Sequence, residues 1–115
     1  MDKASTAIVH QANYRVKRIE RIMTGSDVQA RLFTLAPGET IPWHFHHAAA
    51  DHYFILEGTL TVVTCAPEEV RMIAIGSDYR IMPGTAHLIT NRSTGDCRFL
   101  LLQGVGKFDW VKAGG

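Results

Sequence analysis

Hydrophobic positions along this chain fall in short runs of about 4 to 8 residues, many of them alternating with polar ones, and helical spacing is almost absent. This pattern predicts strands near Arg15 to Ile22, Val28 to Leu35, Trp43 to His46, His52 to Leu56 and Thr59 to Cys65. Further strands are predicted near Val70 to Ile75, Tyr79 to Met82, His87 to Asn91 and Cys97 to Gln103. Between them lie turn-forming groups, among them Thr24-Gly25-Ser26, Pro37-Gly38, Glu57-Gly58, Gly76-Ser77-Asp78, Pro83-Gly84 and Ser93-Thr94-Gly95-Asp96. Turns recurring at roughly 8 to 12 residues belong to a β-sandwich or barrel. No linker, low-complexity tract or repeat interrupts the series, so residues 1–115 read as one all-β domain.

One run breaks the alternation. Phe99, Leu100, Leu101 and Leu102 are apolar in sequence, whereas a strand with one wet face should alternate. One face packs inward and the other needs a cover. With few helices to supply it, a second copy of the chain is the simplest cover, and a homodimer is expected, with N-terminal residues a candidate for crossing over.

Composition narrows the function classes. With 46% hydrophobic and 20% charged residues the chain has the make-up of an ordinary globular domain, and a net charge of +1 favours neither nucleic acid nor an anionic membrane as partner. The local basic run Arg15, Lys17, Arg18, Arg21 reads as a solvated strand edge. Met1 to Val9 carries Asp2 and Lys3 without an apolar stretch and does not read as an export signal, so a cytoplasmic location is expected. In that compartment the two cysteines, Cys65 and Cys97, are expected as buried free thiols rather than a disulfide.

The chemical signal lies in the histidines. Of the six, His44, His46, His47 and His52 crowd into one short stretch. His44 and His46 stand two apart on a strand and therefore share a face. Two adjacent buried imidazoles need polar partners, and a shared metal ion meets that need. His47 belongs to the other face or the following turn, and reads as surface.

At this point two spaced motifs carry a family resemblance. Gly38-x5-His44-x-His46-x4-Asp51-x6-Gly58 resembles the first motif of the cupins, with Asp51 standing where glutamate is usual. Gly76-x6-Pro83-Gly84-x2-His87-x3-Asn91 is similar to the second, with Met82 where that motif normally has its first proline. Together with the short spacer between them, the two motifs, 38–58 and 76–91, run from Gly38 to Asn91, nearly half the chain. The resemblance implies a small single-domain cupin, a jelly-roll β-barrel holding one divalent transition metal ion through His44, His46, Asp51 and His87. Three imidazoles and a carboxylate suit Fe, Mn, Ni, Cu or Zn better than calcium or magnesium. On a five- or six-coordinate ion four protein ligands would leave open positions, as in catalytic rather than structural sites.

Asp51 is one methylene shorter than the usual glutamate, so it must come close to the ion or act through water. Its rival is His52, which by alternation faces away with Phe54 and Leu56, while Asp51 shares a face with Tyr53 and Ile55; a bulge at the start of the strand would reverse this. Asn91 is expected to end a strand by side-chain to backbone bonding. Trp43, Phe45, Tyr53, Met72 and Phe99 are candidates for pocket lining but are better explained as core.

The expected function is a metal-dependent enzyme on a small organic molecule, dioxygenase-like in the favoured version, with Asp51 as fourth ligand or as a base once displaced. A metal-dependent isomerase or decarboxylase, and a non-catalytic domain that binds or senses a small molecule, are the alternatives.

Overall fold

The computed structural model describes residues 14–104 and 109–113. The N-terminal residues expected to cross over to a second copy lie outside them. Among the described residues ten strands form: β1 Arg18–Thr24, β2 Gln29–Leu35, β3 Thr40–Phe45, β4 Ala50–Glu57, β5 Thr59–Cys65, β6 Glu68–Ala74, β7 Asp78–Ile81, β8 His87–Thr90, β9 Cys97–Gly104 and β10 Val111–Lys112. Nine of these correspond to predicted runs, with ends shifted by at most three residues; β10 is the addition. No helix among the described residues is long and apolar enough to cross a membrane.

The strands make two five-stranded antiparallel sheets, ordered β1-β2-β9-β4-β7 and β10-β3-β8-β5-β6. The arrangement is that of a jelly roll, two facing sheets rather than one continuous closed cylinder. Between them lies a core built from alternate positions of each strand. Ile19, Phe33, Leu35, Tyr53, Ile55, Phe99 and Leu101 come from the first sheet, and Ile41, Leu60, Val62 and Ile89 from the second. Phe33 and Phe99 stack at 5.1 Å between ring centroids.

β9 resolves its own ambiguity by position. It lies in the middle of its sheet, and Cys97, Phe99, Leu101 and Gln103 are buried while Arg98, Leu100 and Leu102 are only partly covered. The outward side chains meet those of neighbouring strands in register, Leu100 beside Leu32 and Phe54, and Leu102 beside Ala30 and His52. The outer face of this sheet thus carries an apolar stripe.

Two backbone devices aim the residues of the first motif. The β3–β8 ladder pairs Ile41 with Ile89 and His44 with His87, so it carries a bulge between Ile41 and His44. Ile41 and His44 are three apart and would face opposite sides of a regular strand; the extra residue lets both point inward. Pro42 sits inside the bulge, where a missing N–H costs no ladder bond. Gly58 has φ +76°, and a Cβ there would lie 2.5 Å from the Asp96 carbonyl oxygen. The tight join of β4 to β5 therefore admits only glycine.

Some expectations need correction. Cys97 is buried but Cys65 is exposed, since it ends β5 at a turn; both thiols are free. Met72 is 75% exposed on β6, an edge strand, and is not core. Tyr53 and Phe99 are core, and Trp43 and Phe45 are half-buried. Asn91 acts as expected: its amide nitrogen donates to the carbonyls of Leu35 at 2.9 Å and Gly95 at 2.8 Å, and its oxygen accepts from the Ser93 backbone at 3.0 Å. Within the basic run, Lys17 pairs with Asp96 and Arg18 with Glu20 across exposed surface.

Candidate metal centre

The four residues of the two motifs meet between the sheets. His44 near the end of β3, His46 one residue beyond it and His87 at the start of β8 come from one sheet, and Asp51 of β4 reaches across from the other. All four are buried, and one ligand atom from each lies within 4.8 Å of all the others. The rings are inclined by 56° to 68° with centroids 4.2 to 5.7 Å apart, so their edges converge instead of stacking.

Each imidazole is fixed from behind. Nδ1 of His44 donates to the Pro42 carbonyl at 2.8 Å, Nδ1 of His87 to the Thr85 carbonyl at 2.8 Å, and Nδ1 of His46 to the Asp109 carbonyl. A carbonyl oxygen only accepts, so each Nδ1 carries the proton and each Nε2 is left to face inward. Backbone partners of this kind set the tautomer and ring angle of metal-binding histidines.

Asp51 is contacted on every side. Its Oδ2 lies 3.2 Å from Nε2 of both His46 and His87 and takes the Tyr53 hydroxyl at 2.9 Å, while Oδ1 takes the Gln103 amide at 2.9 Å. Gln103 in turn accepts from Arg31, a guanidinium only 2% exposed that also lies over the Phe33 ring. The short aspartate side chain thus reaches the histidines directly. His52 points to the opposite face, where Nε2 bonds Asp78 at 2.7 Å and Nδ1 accepts from Arg80 at 3.3 Å. Alternation holds, and the bulge in this strand lies at its far end, between Ile55 and Glu57. His47 is exposed, as expected.

Charge within the cluster is shifted accordingly. Burial alone pushes the Asp51 carboxyl up, but hydrogen bonds and charge from His46 and His87 outweigh it and hold the group well below the usual carboxylate range. Burial also pushes His46 down, and the Asp51 carboxylate more than reverses that, leaving it raised. His44 is pushed down to about 3 by burial and by its neighbour His87, so it stays neutral with its Nε2 lone pair turned inward. The donor set is therefore a buried carboxylate and three Nε2 atoms around one point. That is the chemistry of a site for a divalent transition ion.

Several polar neighbours were not singled out from sequence. Arg31 and Gln103 had a usable signal, since each occupies an inward position on a strand, in line with Phe33 and Leu35 or with Phe99 and Leu101. Asp109 and Trp110 had none, being far along the chain from either motif. The Trp110 ring stacks on His44 at 4.9 Å and 20°.

Known proteins resemble this chain in the same region. A stretch of 82 residues, 71% of this chain, is 28% identical to the mannose-1-phosphate guanylyltransferase RfbM of Salmonella typhimurium, of which the chain spans only 17%. Among solved structures, a conserved Klebsiella pneumoniae protein with a double-stranded β-helix domain superposes with a TM-score of 0.73 at 18% identity, over 81% of this chain and 75% of that one. An oxalate oxidase bound to the substrate analogue glycolate superposes with a TM-score of 0.71 at 18% identity, over 82% of this chain and 53% of that one. These likenesses concern the fold. Residues 31–103 match the family model of the cupin domain, a span that holds both motifs and the whole four-residue cluster, and the chain belongs to the cupin family.

Proposed function

We propose that this protein binds one divalent transition metal ion through His44, His46, Asp51 and His87 and uses it as an enzyme on a small organic molecule, with dioxygenase-like chemistry. The observation that carries the reading is the convergence of three carbonyl-anchored imidazoles and a carboxylate on one buried point. When bound, such an ion supplies Lewis-acid polarisation and, if redox-active, electron exchange with substrate and dioxygen. The rest is done by the chain. Backbone carbonyls hold the three rings in one tautomer, and Tyr53 and Gln103 hold Asp51 at both oxygens. A carboxylate held so far below its ordinary range is a good anionic ligand and a poor base near neutral pH, which favours the ligand role for Asp51 over that of a proton acceptor.

The test is metal analysis of protein purified without chelator, followed by dioxygen uptake with a panel of small oxygen-chelating acids and diketones. About one transition ion per chain and uptake lost in His87→Ala are expected. Metal far below one per chain after incubation with Fe, Mn, Ni, Cu and Zn in turn would sink the metal reading. Full occupancy without uptake on any compound would shift the function to the isomerase, decarboxylase or binding alternatives.

The protein also acts, in this reading, as a homodimer joined through the outer face of the first sheet. What supports it is the stripe of Leu32, Leu100, Leu102 and Phe54, bordered by the Asp78–His52 pair and Arg80. A rim that carries both signs can meet its own copy across a two-fold axis.

A further inference from the structure

The match to the cupin family model ends at residue 103, yet the cluster is held from beyond it. From the described segment 109–113, Val111 and Lys112 pair with Phe45 and His44 to make β10 on the edge of β3, and the Ala113 amide donates to the Trp43 carbonyl at 3.1 Å. Within the same segment the Asp109 carbonyl accepts from His46 Nδ1, and the Trp110 ring lies stacked on His44. The Asp109 carboxylate accepts from the backbone N–H of His47 at 2.9 Å and from its ring, which pins the backbone at the residue whose carbonyl His46 uses.

Resting on the metal reading above, we infer that Asp109 and Trp110 are positioning residues for the metal centre: a strap beyond the family domain fixes the rings of His46 and His44 and so sets metal affinity and coordination geometry. His87 and His44 take their Nδ1 partners from two residues upstream in their own strands or turns, and such partners form with local folding. His46 alone takes its partner from across the chain. Its orientation, unlike theirs, therefore depends on the strap. The two contacts act on different candidate ligands, one by hydrogen bonding and one by ring packing, and neither residue is among the four that would hold the ion.

Cobalt(II) is the probe, because its visible absorption reports coordination geometry and its titration gives affinity. The proteins are the parent, Asp109→Ala, Asp109→Asn, Trp110→Ala, Trp110→Phe and His87→Ala. Loss of an outer partner of a metal ligand typically costs about 10- to 100-fold in affinity; Trp110→Ala removes the ring on His44 and Asp109→Ala keeps the carbonyl but removes the carboxylate that pins it, so a loss toward the lower end of that range is expected for both, with an altered cobalt spectrum. Asp109→Asn keeps an oxygen for the His47 N–H, and Trp110→Phe keeps the stack, so both should stay within about 3-fold of the parent. Parent affinity and spectrum in both alanine variants overturn the inference, as does a loss matched by an equal fall in the melting temperature of the metal-free protein with the spectrum unchanged. Failure of the underlying reading is distinguishable: a parent that takes up no more cobalt than His87→Ala removes the metal site itself, and the inference with it.

Discussion

At the scale of single residues the sharpest contrast is between neighbours. Asp51 and His52 are adjacent, one buried against three imidazoles and the other on the far face against Asp78. Asp51→Ala is therefore expected to lose most of its metal on extensive dialysis, whereas His52→Ala keeps it and changes stability by about 0.5–3 kcal/mol, the usual range for one substitution. Metal per subunit in the two variants decides the point, and loss in His52→Ala with retention in Asp51→Ala would contradict the register described above. A second expectation concerns acid. His44 is depressed from 6.5 to about 3 in the folded protein, so folding favours its neutral form and its contribution fades as pH falls from about 6.5 toward 3. His46 is raised, so its contribution is complete below 6.5 and fades only on the alkaline side. Asp51 is depressed and weakens only as pH drops below its ordinary 3.8. Between pH 6.5 and 4, then, His44 is the member of this set that makes the metal-free protein less stable, by at most about 1.4 kcal/mol per pH unit. Urea unfolding of chelator-treated protein across that window should show the slope, and His44→Ala should flatten it; an equal slope in both would refute the assignment.

At the scale of elements, glycine positions separate strain from collision. Gly38 and Gly58 both have positive φ, but a Cβ on Gly38 meets nothing within 4 Å while one on Gly58 meets the Asp96 carbonyl. Gly38→Ala should cost the strain alone, about 1–3 kcal/mol, and Gly58→Ala distinctly more, read from urea midpoints. Equal costs would mean the β4–β5 join relaxes freely. The legibility of the chain divides along similar lines. Alternation and turn residues were enough to place nine strands, because those signals act within a few residues. The inward face of Asp51 was readable for the same reason. The bulge at Pro42 was not, since a strand's period gives no sign of where an extra residue is inserted until its partner's register is known. Neither was β10, whose two residues form a strand only because the edge of β3 is there to receive them. Met72 was misjudged because apolar character does not say whether a strand lies at the edge of a sheet or in its middle, and Cys65 because it does not say that a strand ends there, at a turn.

At the scale of the whole molecule, the outer stripe of Leu32, Phe54, Leu100 and Leu102 makes a prediction about assembly. Light scattering at micromolar concentration should give about twice the chain mass of 12.8 kDa. Leu100→Lys, placed at the centre of that stripe between Leu32 and Phe54, should convert the protein to a folded monomer that still binds metal. A parent already monomeric would remove the dimer, and a variant that stays dimeric would move the interface elsewhere.

The distribution of the candidate ligands over the fold has a mechanical consequence. Three donors hang from one sheet and the fourth from the other, so an occupied centre acts as a rivet through the gap between two layers otherwise held by side-chain packing. A ligand that binds only the folded state adds about 2.7 kcal/mol at a hundred times its dissociation constant, and here that gain opposes one motion above all, the parting of the sheets. Amide protons of β3, β4 and β8 beside the rivet should become slower to exchange together, while the edge strands β1 and β6, remote from it, keep their pace unless the whole domain unfolds. The same four side chains gathered on one hairpin would stiffen that hairpin and leave the sandwich as easy to pry open as before.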